Sequence, residues 1–173
     1  MITSVTTAIA VGSIGTDICL KTISLTCSKA MDLITYFATS TNSSFDEFNT
    51  LLIDTDVKAK ISKINQLILE FKEKEEQGYE FKKSITISIN DVDDAIKQII
   101  CVLDETKKLK QYHDTLYFNT SSWRKVDCTP QIKSLKMGAK RLDKRFIDLE
   151  KVISIVANLQ TDKIFTNNKY NKI

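Results

Sequence analysis

Residues 129–156 read TPQIKSLKMGAKRLDKRFIDLEKVISIV, which is the clearest helical pattern in this chain. Its apolar residues recur every three or four positions, the period of one helix face. Thr129 suits the N-cap of a helix because its hydroxyl accepts a backbone hydrogen bond, and Pro130 suits the first turn because its φ is preset. The stretch therefore predicts a long helix with one buried stripe, made by Ile132, Leu135, Ala139, Leu142, Phe146, Leu149, Ile153 and Val156.

Three earlier segments repeat this period between polar breaks. They predict helices over about 3–38, 44–77 and 91–116. Ser44 and Glu47 form a capping-box pattern at the start of the second segment, and Gly78 stands where a glycine closes a helix. The triplet 54–56, Asp-Thr-Asp, is the point at which this segment would divide into two helices. The whole chain has only four Gly and one Pro in 173 residues, which favours long helices over tight turns.

Residues 79–89 show a different period. Ile85, Ile87 and Ile89 alternate with polar residues, which is strand spacing, but no second segment offers a partner strand. We therefore predict an extended linker that packs its isoleucines on the bundle. The predicted fold is an all-α, antiparallel up-down four-helix bundle, with this extended linker between helices 2 and 3. It forms a single domain over 1–160, followed by a flexible polar tail at 161–173.

Catalytic and metal-binding motifs are missing from the sequence. Four scattered glycines cannot build a phosphate-binding loop, and neither a GxSxG nor an HExxH motif is present. The single histidine, His113, is predicted to be a surface or capping residue. The four cysteines include no CxxC pair, so a zinc site is not predicted. Three of them lie in apolar helical stretches, which favours free thiols in a reducing compartment over a disulfide-bonded secreted protein. We expect a non-enzymatic protein without cofactor, metal or small-molecule substrate.

Charge is unevenly distributed along the chain. Residues 46–105 contain 14 acidic and 8 basic residues, whereas residues 106–145 contain 3 acidic and 11 basic residues. In the last helix Lys133, Lys136, Lys140 and Lys144 follow steps of three and four, so they share one face away from the apolar stripe. Upstream, Trp123 stands beside Arg124 and Lys125 in the loop between the last two helices, either as an anchor on the core or as an exposed contact. These seven residues form the predicted binding surface.

Several interpretations of this basic surface are open. The first is an ordinary solvated helix flank without a partner, and the second is a surface that binds an anionic membrane or an acidic protein. Nucleic acid is a further alternative, although the aromatic residues on which single strands stack are not interleaved with the lysines. Self-association as a structural protein, for example of a virus, is the remaining hypothesis. The N-terminus lacks the basic start of a signal peptide, and Val5 to Leu20 is too polar to span a bilayer. We expect a cytoplasmic protein that acts as an adaptor or as a membrane-surface module. If it binds membranes, we expect it to be peripheral to them.

The closing helix pair carries a hydrophobic pattern over residues 94–110 and 142–150, with Trp123 between them. In this pattern it resembles the N-terminal four-helix bundle of the mixed-lineage-kinase-like, or HeLo-type, cell-death proteins. The resemblance covers about 70 of the 173 residues. It implies an oligomerising bundle that binds phosphoinositides and permeabilises membranes. No motif diagnostic of that family is shared, so no functional residue is carried over.

Overall fold

A computed structural model describes the backbone of residues 5–39, 45–120 and 126–170, and the side chains of residues 15–39, 45–115 and 126–158. Within these ranges the chain is all-α, as predicted, and contains no strand. There are five helices in the described ranges rather than four. They are α1 (Val5–Ala38), α2 (Asp46–Asp54), α3 (Val57–Glu76), α4 (Lys83–Thr120) and α5 (Thr129–Tyr170).

The predicted second helix divides at the Asp-Thr-Asp triplet into α2 and α3. Asp56 adopts a left-handed conformation with φ of 51°, which a continuous helix cannot contain. The N-cap position of α2 is Phe45, which makes no side-chain capping hydrogen bond. Ser44 lies outside the described residues, so the capping box predicted there stays a prediction. Gly78 closes α3 as predicted, with φ of 83° and the backbone N–H of Tyr79 donating to the carbonyl of Lys74 at 2.9 Å.

The extended linker predicted at 79–89 is wrong, because α4 begins at Lys83. Ile85 and Ile89 are buried whereas Ile87 is exposed. Ile85 and Ile89 are four residues apart, and the spacing continues through Val92 and Ile96, so they belong to the helical stripe of α4. Ile85 and Ile89 fit both the strand and the helix period, and packing in the bundle core selected the helical one.

The last helix differs from its prediction at both ends. The N-cap is Cys128 rather than Thr129, since the N–H of Ile132 donates to the Cys128 carbonyl at 2.9 Å. The Asp127 carboxylate accepts a hydrogen bond from the Thr129 N–H at 3.0 Å. Hydrogen bonds from the side chain and from the backbone of Thr129 lower the pKa of Asp127. At the other end α5 continues to Tyr170, through most of the segment predicted to be a tail.

The helices form two antiparallel hairpins. In the first hairpin α1 packs against α3, and Ile34 near the end of α1 lines the same cavity as Lys58 near the start of α3. In the second hairpin α4 packs against α5, and Asp91 near the start of α4 pairs with Arg145 of α5 at 3.2 Å. The antiparallel packing that the sequence predicts is confirmed within both hairpins.

The two hairpins join through α1 and α4, which run in the same direction. Cys19 contacts Asn90 at 3.0 Å, Lys29 pairs with Asp104 at 2.8 Å, and the Lys107 ammonium lies 4.7 Å from the centre of the Tyr36 ring. From one contact to the next, the residue numbers increase on both helices, which shows that α1 and α4 are parallel. On the opposite side α3 and α5 are also parallel, because both descend while α1 and α4 ascend.

The short helix α2 closes one end of the bundle. Phe45 and Phe48 are fully buried, and the ring of Phe48 lies 5.1 Å from that of Phe37 at the end of α1. The ring of Phe45 lies 6.4 Å from that of His113 on α4. Aromatic side chains contribute large buried areas, so this short helix ties the ends of both hairpins to one core.

Candidate functional site

The four lysines predicted to share a face of the last helix are all exposed on α5. The residues of the predicted apolar stripe face the core instead, and Leu135, Leu142 and Leu149 are fully buried there. Among the described side chains, no carboxylate lies within 4 Å of Lys133, Lys136, Lys140 or Lys144. The exposure of this face is therefore as predicted, and its charge is not neutralised by close ion pairs in the described part of the chain.

The structure adds apolar side chains to the same face. Met137 is 58% exposed, Ile147 48% and Ile155 57%, although large apolar groups normally turn inward. Together with lysines they form a row that advances by three or four residues at each step. We call this row the outer stripe; its members are Lys133, Met137, Lys140, Lys144, Ile147, Lys151 and Ile155.

Sequence reasoning missed the apolar members of the outer stripe. The signal was available, because Met137 lies four residues after Lys133 and Ile155 four residues after Lys151. Apolar residues are, however, expected to face the core, so the pattern did not distinguish them from the buried stripe. Only the packing of α5 against α4 shows which apolar residues remain in solvent.

Ion pairs hold the two flanks of α5 to its neighbours. Asp143 pairs with Lys60 of α3 at 2.7 Å, and Arg145 pairs with Asp91 of α4 at 3.2 Å. These pairs direct one acidic and one basic group of α5 toward other helices. The lysines of the outer stripe project between the two flanks, so positive charge dominates the solvent side of this helix.

Three residues of the predicted binding surface lie outside the described side chains. They are Trp123, Arg124 and Lys125, which follow α4 and precede α5 in the sequence and are not among the described residues. The candidate site consequently consists of the α5 residues alone. The contribution of these three residues to the basic surface stays a prediction.

Two of the ionisable side chains that could take part in catalysis or metal binding, His113 and Asp93, are buried in the bundle. His113, predicted to be a surface or capping residue, is instead buried beside Phe45. Asp93 is buried too, and its carboxylate pairs with Lys97 at 2.6 Å. No three His, Cys, Asp or Glu side chains among the described residues are grouped as metal ligands would be.

The free thiols also differ in their surroundings. Cys19, Cys27 and Cys128 are buried and Cys101 is exposed. Burial raises the pKa of the Cys27 thiol to about 12, because a thiolate is poorly solvated in an apolar interior. The neighbouring Glu105 carboxylate raises the pKa of Cys101.

No helix in the described part of the chain combines the length and the apolarity needed to span a bilayer. Comparison of the chain with protein-family models, with curated proteins and with solved structures finds no match. The resemblance of the closing helix pair to HeLo-type bundles stays a prediction from the sequence. Any functional assignment therefore depends on the geometry of the surface itself.

Proposed function

We propose that this protein is a non-enzymatic interaction module that binds anionic membrane surfaces through the outer stripe of α5. The observation that carries this proposal is the alternation of exposed lysines with exposed Met137, Ile147 and Ile155 along one helix face. A solvated flank needs only the charged groups. The additional apolar groups favour a partner that is acidic at its surface and apolar beneath it.

An anionic bilayer has both properties. A lysine near an anionic leaflet contributes roughly 1 kcal/mol, and a helix lying in the interface places its apolar side chains about 5–10 Å into the boundary between headgroups and acyl chains. From Met137 to Ile155 the helix rises roughly 27 Å at about 1.5 Å per residue. A straight row of this length suits a flat surface.

Flotation with lipid vesicles tests the proposal. We expect the protein to float with vesicles containing phosphatidylserine and to remain below when the vesicles contain only phosphatidylcholine. Changing the four lysines of the outer stripe, Lys133, Lys140, Lys144 and Lys151, together to Glu should abolish flotation, because the face would then repel the anionic lipid. Circular dichroism should show an unchanged helical content, since all four side chains are exposed.

A matched control separates the position of the charges from their number. Lys58, Lys82, Lys83 and Lys108 are also exposed but lie on other parts of the bundle. Changing these four to Glu alters the net charge by the same amount and should retain most of the binding. Equal loss in the two quadruple variants, or flotation that does not depend on anionic lipid, contradicts the proposal.

The apolar members need a separate test. Met137→Ser combined with Ile155→Ser should leave binding at low salt largely intact and weaken it at high salt, where screening reduces the lysine contribution. Binding of the wild-type protein to an acidic polypeptide but not to vesicles would instead assign the face to a protein partner. Binding to DNA with a steep salt dependence would assign it to nucleic acid.

A further inference from the structure

The side of the bundle formed by α3 and α5 is open. These two parallel helices are joined by the Lys60–Asp143 ion pair at 2.7 Å, and beyond it a groove of about 590 Å³ separates them. Leu67 of α3 and Phe146 and Ile153 of α5 form its apolar floor. Charged groups stand along it, and they are Lys63, Glu70 and Glu150.

The ion pair fixes the level of one helix against the other. Lys60 lies opposite Asp143, an offset of 83 residues. Because parallel α-helices rise equally per residue, the same offset sets Lys63 level with Phe146 and Glu70 level with Ile153. The residues midway between Lys63 and Glu70 are consequently level with those midway between Phe146 and Ile153.

This shared midpoint makes the groove self-complementary. A two-fold axis across the groove at that level would set Lys63 of one copy against Glu70 of the second copy, and the reverse. The same rotation would set Phe146 against Ile153 of the second copy. An isologous interface has this property, since each contact occurs twice.

We infer that a second copy of this chain occupies the groove, giving a two-fold homodimer in which the paired helices α3 and α5 of the two copies run antiparallel. Charge complementarity carries the assignment. Lys63 and Glu70 are seven residues apart, about 10.5 Å along one helix, too far to pair with each other. Neither lies within 4 Å of an opposite charge among the described side chains, so both are available to a partner.

The antiparallel helices would oppose their dipoles favourably. Glu150 lies close to the axis and would face Glu150 of the second copy, so this one like-charge contact opposes the two Lys63–Glu70 pairs. The half-buried floor residues would be covered by their counterparts, which removes apolar surface from water.

Sedimentation equilibrium over a concentration series tests the interface, with Leu67→Lys against Leu69→Lys as the matched pair. Leu69 is on the same helix and 48% exposed, but it does not line the groove. We expect the wild type to form a dimer as its concentration rises. Leu67→Lys should raise the dimer dissociation constant at least about a hundredfold, and Leu69→Lys should leave it unchanged. A strict monomer, or equal effects of the two substitutions, overturns the inference.

Charge exchange provides a second test that does not alter the apolar floor. Lys63→Glu and Glu70→Lys should each weaken the dimer by about tenfold, or 1.4 kcal/mol. Combining them should recover a substantial part of that loss, because the exchanged charges again face each other between copies. Losses that simply add in the double variant contradict the pairing. Vesicle flotation reports on the outer stripe and sedimentation on the groove, so the proposed function and this inference can fail independently.

Discussion

The bundle contains two pairs of parallel helices, and they differ in how they meet. Between α1 and α4, side chains connect the helices at three levels, from Cys19 and Asn90 through Lys29 and Asp104 to Tyr36 and Lys107. Between α3 and α5, one ion pair at Lys60 is followed by an open groove. We call these the closed side and the open side.

The two sides show that helix direction does not decide how closely helices pack. On the closed side the polar side chains at the edges find partners on the opposite helix, while the isoleucines and small residues between them are buried. On the open side Lys63, Glu70 and Glu150 line the groove without a close opposite charge among the described residues. Burying unpaired charges is costly, so this side stays open unless a partner supplies the opposite charges.

Thiol reactivity should give the largest difference between the interior of the bundle and its surface. Cys27 is fully buried in α1, whereas Cys101 is exposed on α4. At pH 8 we expect N-ethylmaleimide to modify Cys101 at least about a thousandfold faster than Cys27, because Cys27 becomes accessible only in rare openings of the fold and its pKa is raised to about 12. Mass spectrometry of peptides over time measures both rates. Comparable rates would show that the core around α1 opens readily.

Truncation should cost more in the core than on the open side. Ile96 is fully buried and Leu67 is half-buried. We expect Ile96→Ala to lower the free energy of unfolding by about 2–5 kcal/mol and Leu67→Ala by about 1 kcal/mol or less, since less surface loses contact. Urea denaturation at low protein concentration measures both without a contribution from self-association. Equal costs would mean that the groove is as well packed as the core.

Glycine replacement tests the close contact between α4 and α5. A Cβ added at Gly138 would lie 3.1 Å from Cγ1 of Ile99, so Gly138→Leu should destabilise the protein by about 1–3 kcal/mol through overpacking. At Gly15 on α1 such a Cβ would meet no heavy atom within 4 Å from the described side chains or from other helices. The control Gly15→Leu should therefore stabilise by less than about 1 kcal/mol through helix propensity. If thermal unfolding shows the same sign for both variants, α5 does not depend on close contact with α4.

The ion pair at the end of the open side should have the smallest effect. A double-mutant cycle with Lys60→Met and Asp143→Asn should give a coupling of about 0.2–1 kcal/mol, because both side chains are partly exposed. The cycle is needed because Lys60 also donates to the Thr55 carbonyl at 2.8 Å. Urea denaturation avoids the ionic screening that guanidinium would cause. A coupling of several kcal/mol would indicate that this single contact holds α3 and α5 together.

Much of the fold was predictable because helix periodicity is a local property. The buried stripe of α5, the glycine that closes α3 and the division at Asp56 all follow from short-range backbone and side-chain chemistry. The start of α4 was not predictable in the same way. Ile85 and Ile89 satisfy strand and helix spacing alike, whereas Ile87 fits only the strand period. Burial of Ile85 and Ile89 in the core determined the outcome.

For the candidate site, the sequence predicted the exposed lysines because charged groups at helical spacing seek water. It did not predict the exposed Met137, Ile147 and Ile155, whose apolar character points to the core.

By itself, then, the sequence determined the helical class, several helix boundaries and the basic face of the last helix, since these depend on residues within a few positions of one another. Only the tertiary structure decided that α1 and α4 are parallel neighbours, that α3 and α5 leave a groove, and which apolar residues of α5 face solvent. Those features depend on contacts between segments far apart in the chain. The periodicity of one helix defines the face that it buries, but not the helix that will cover it.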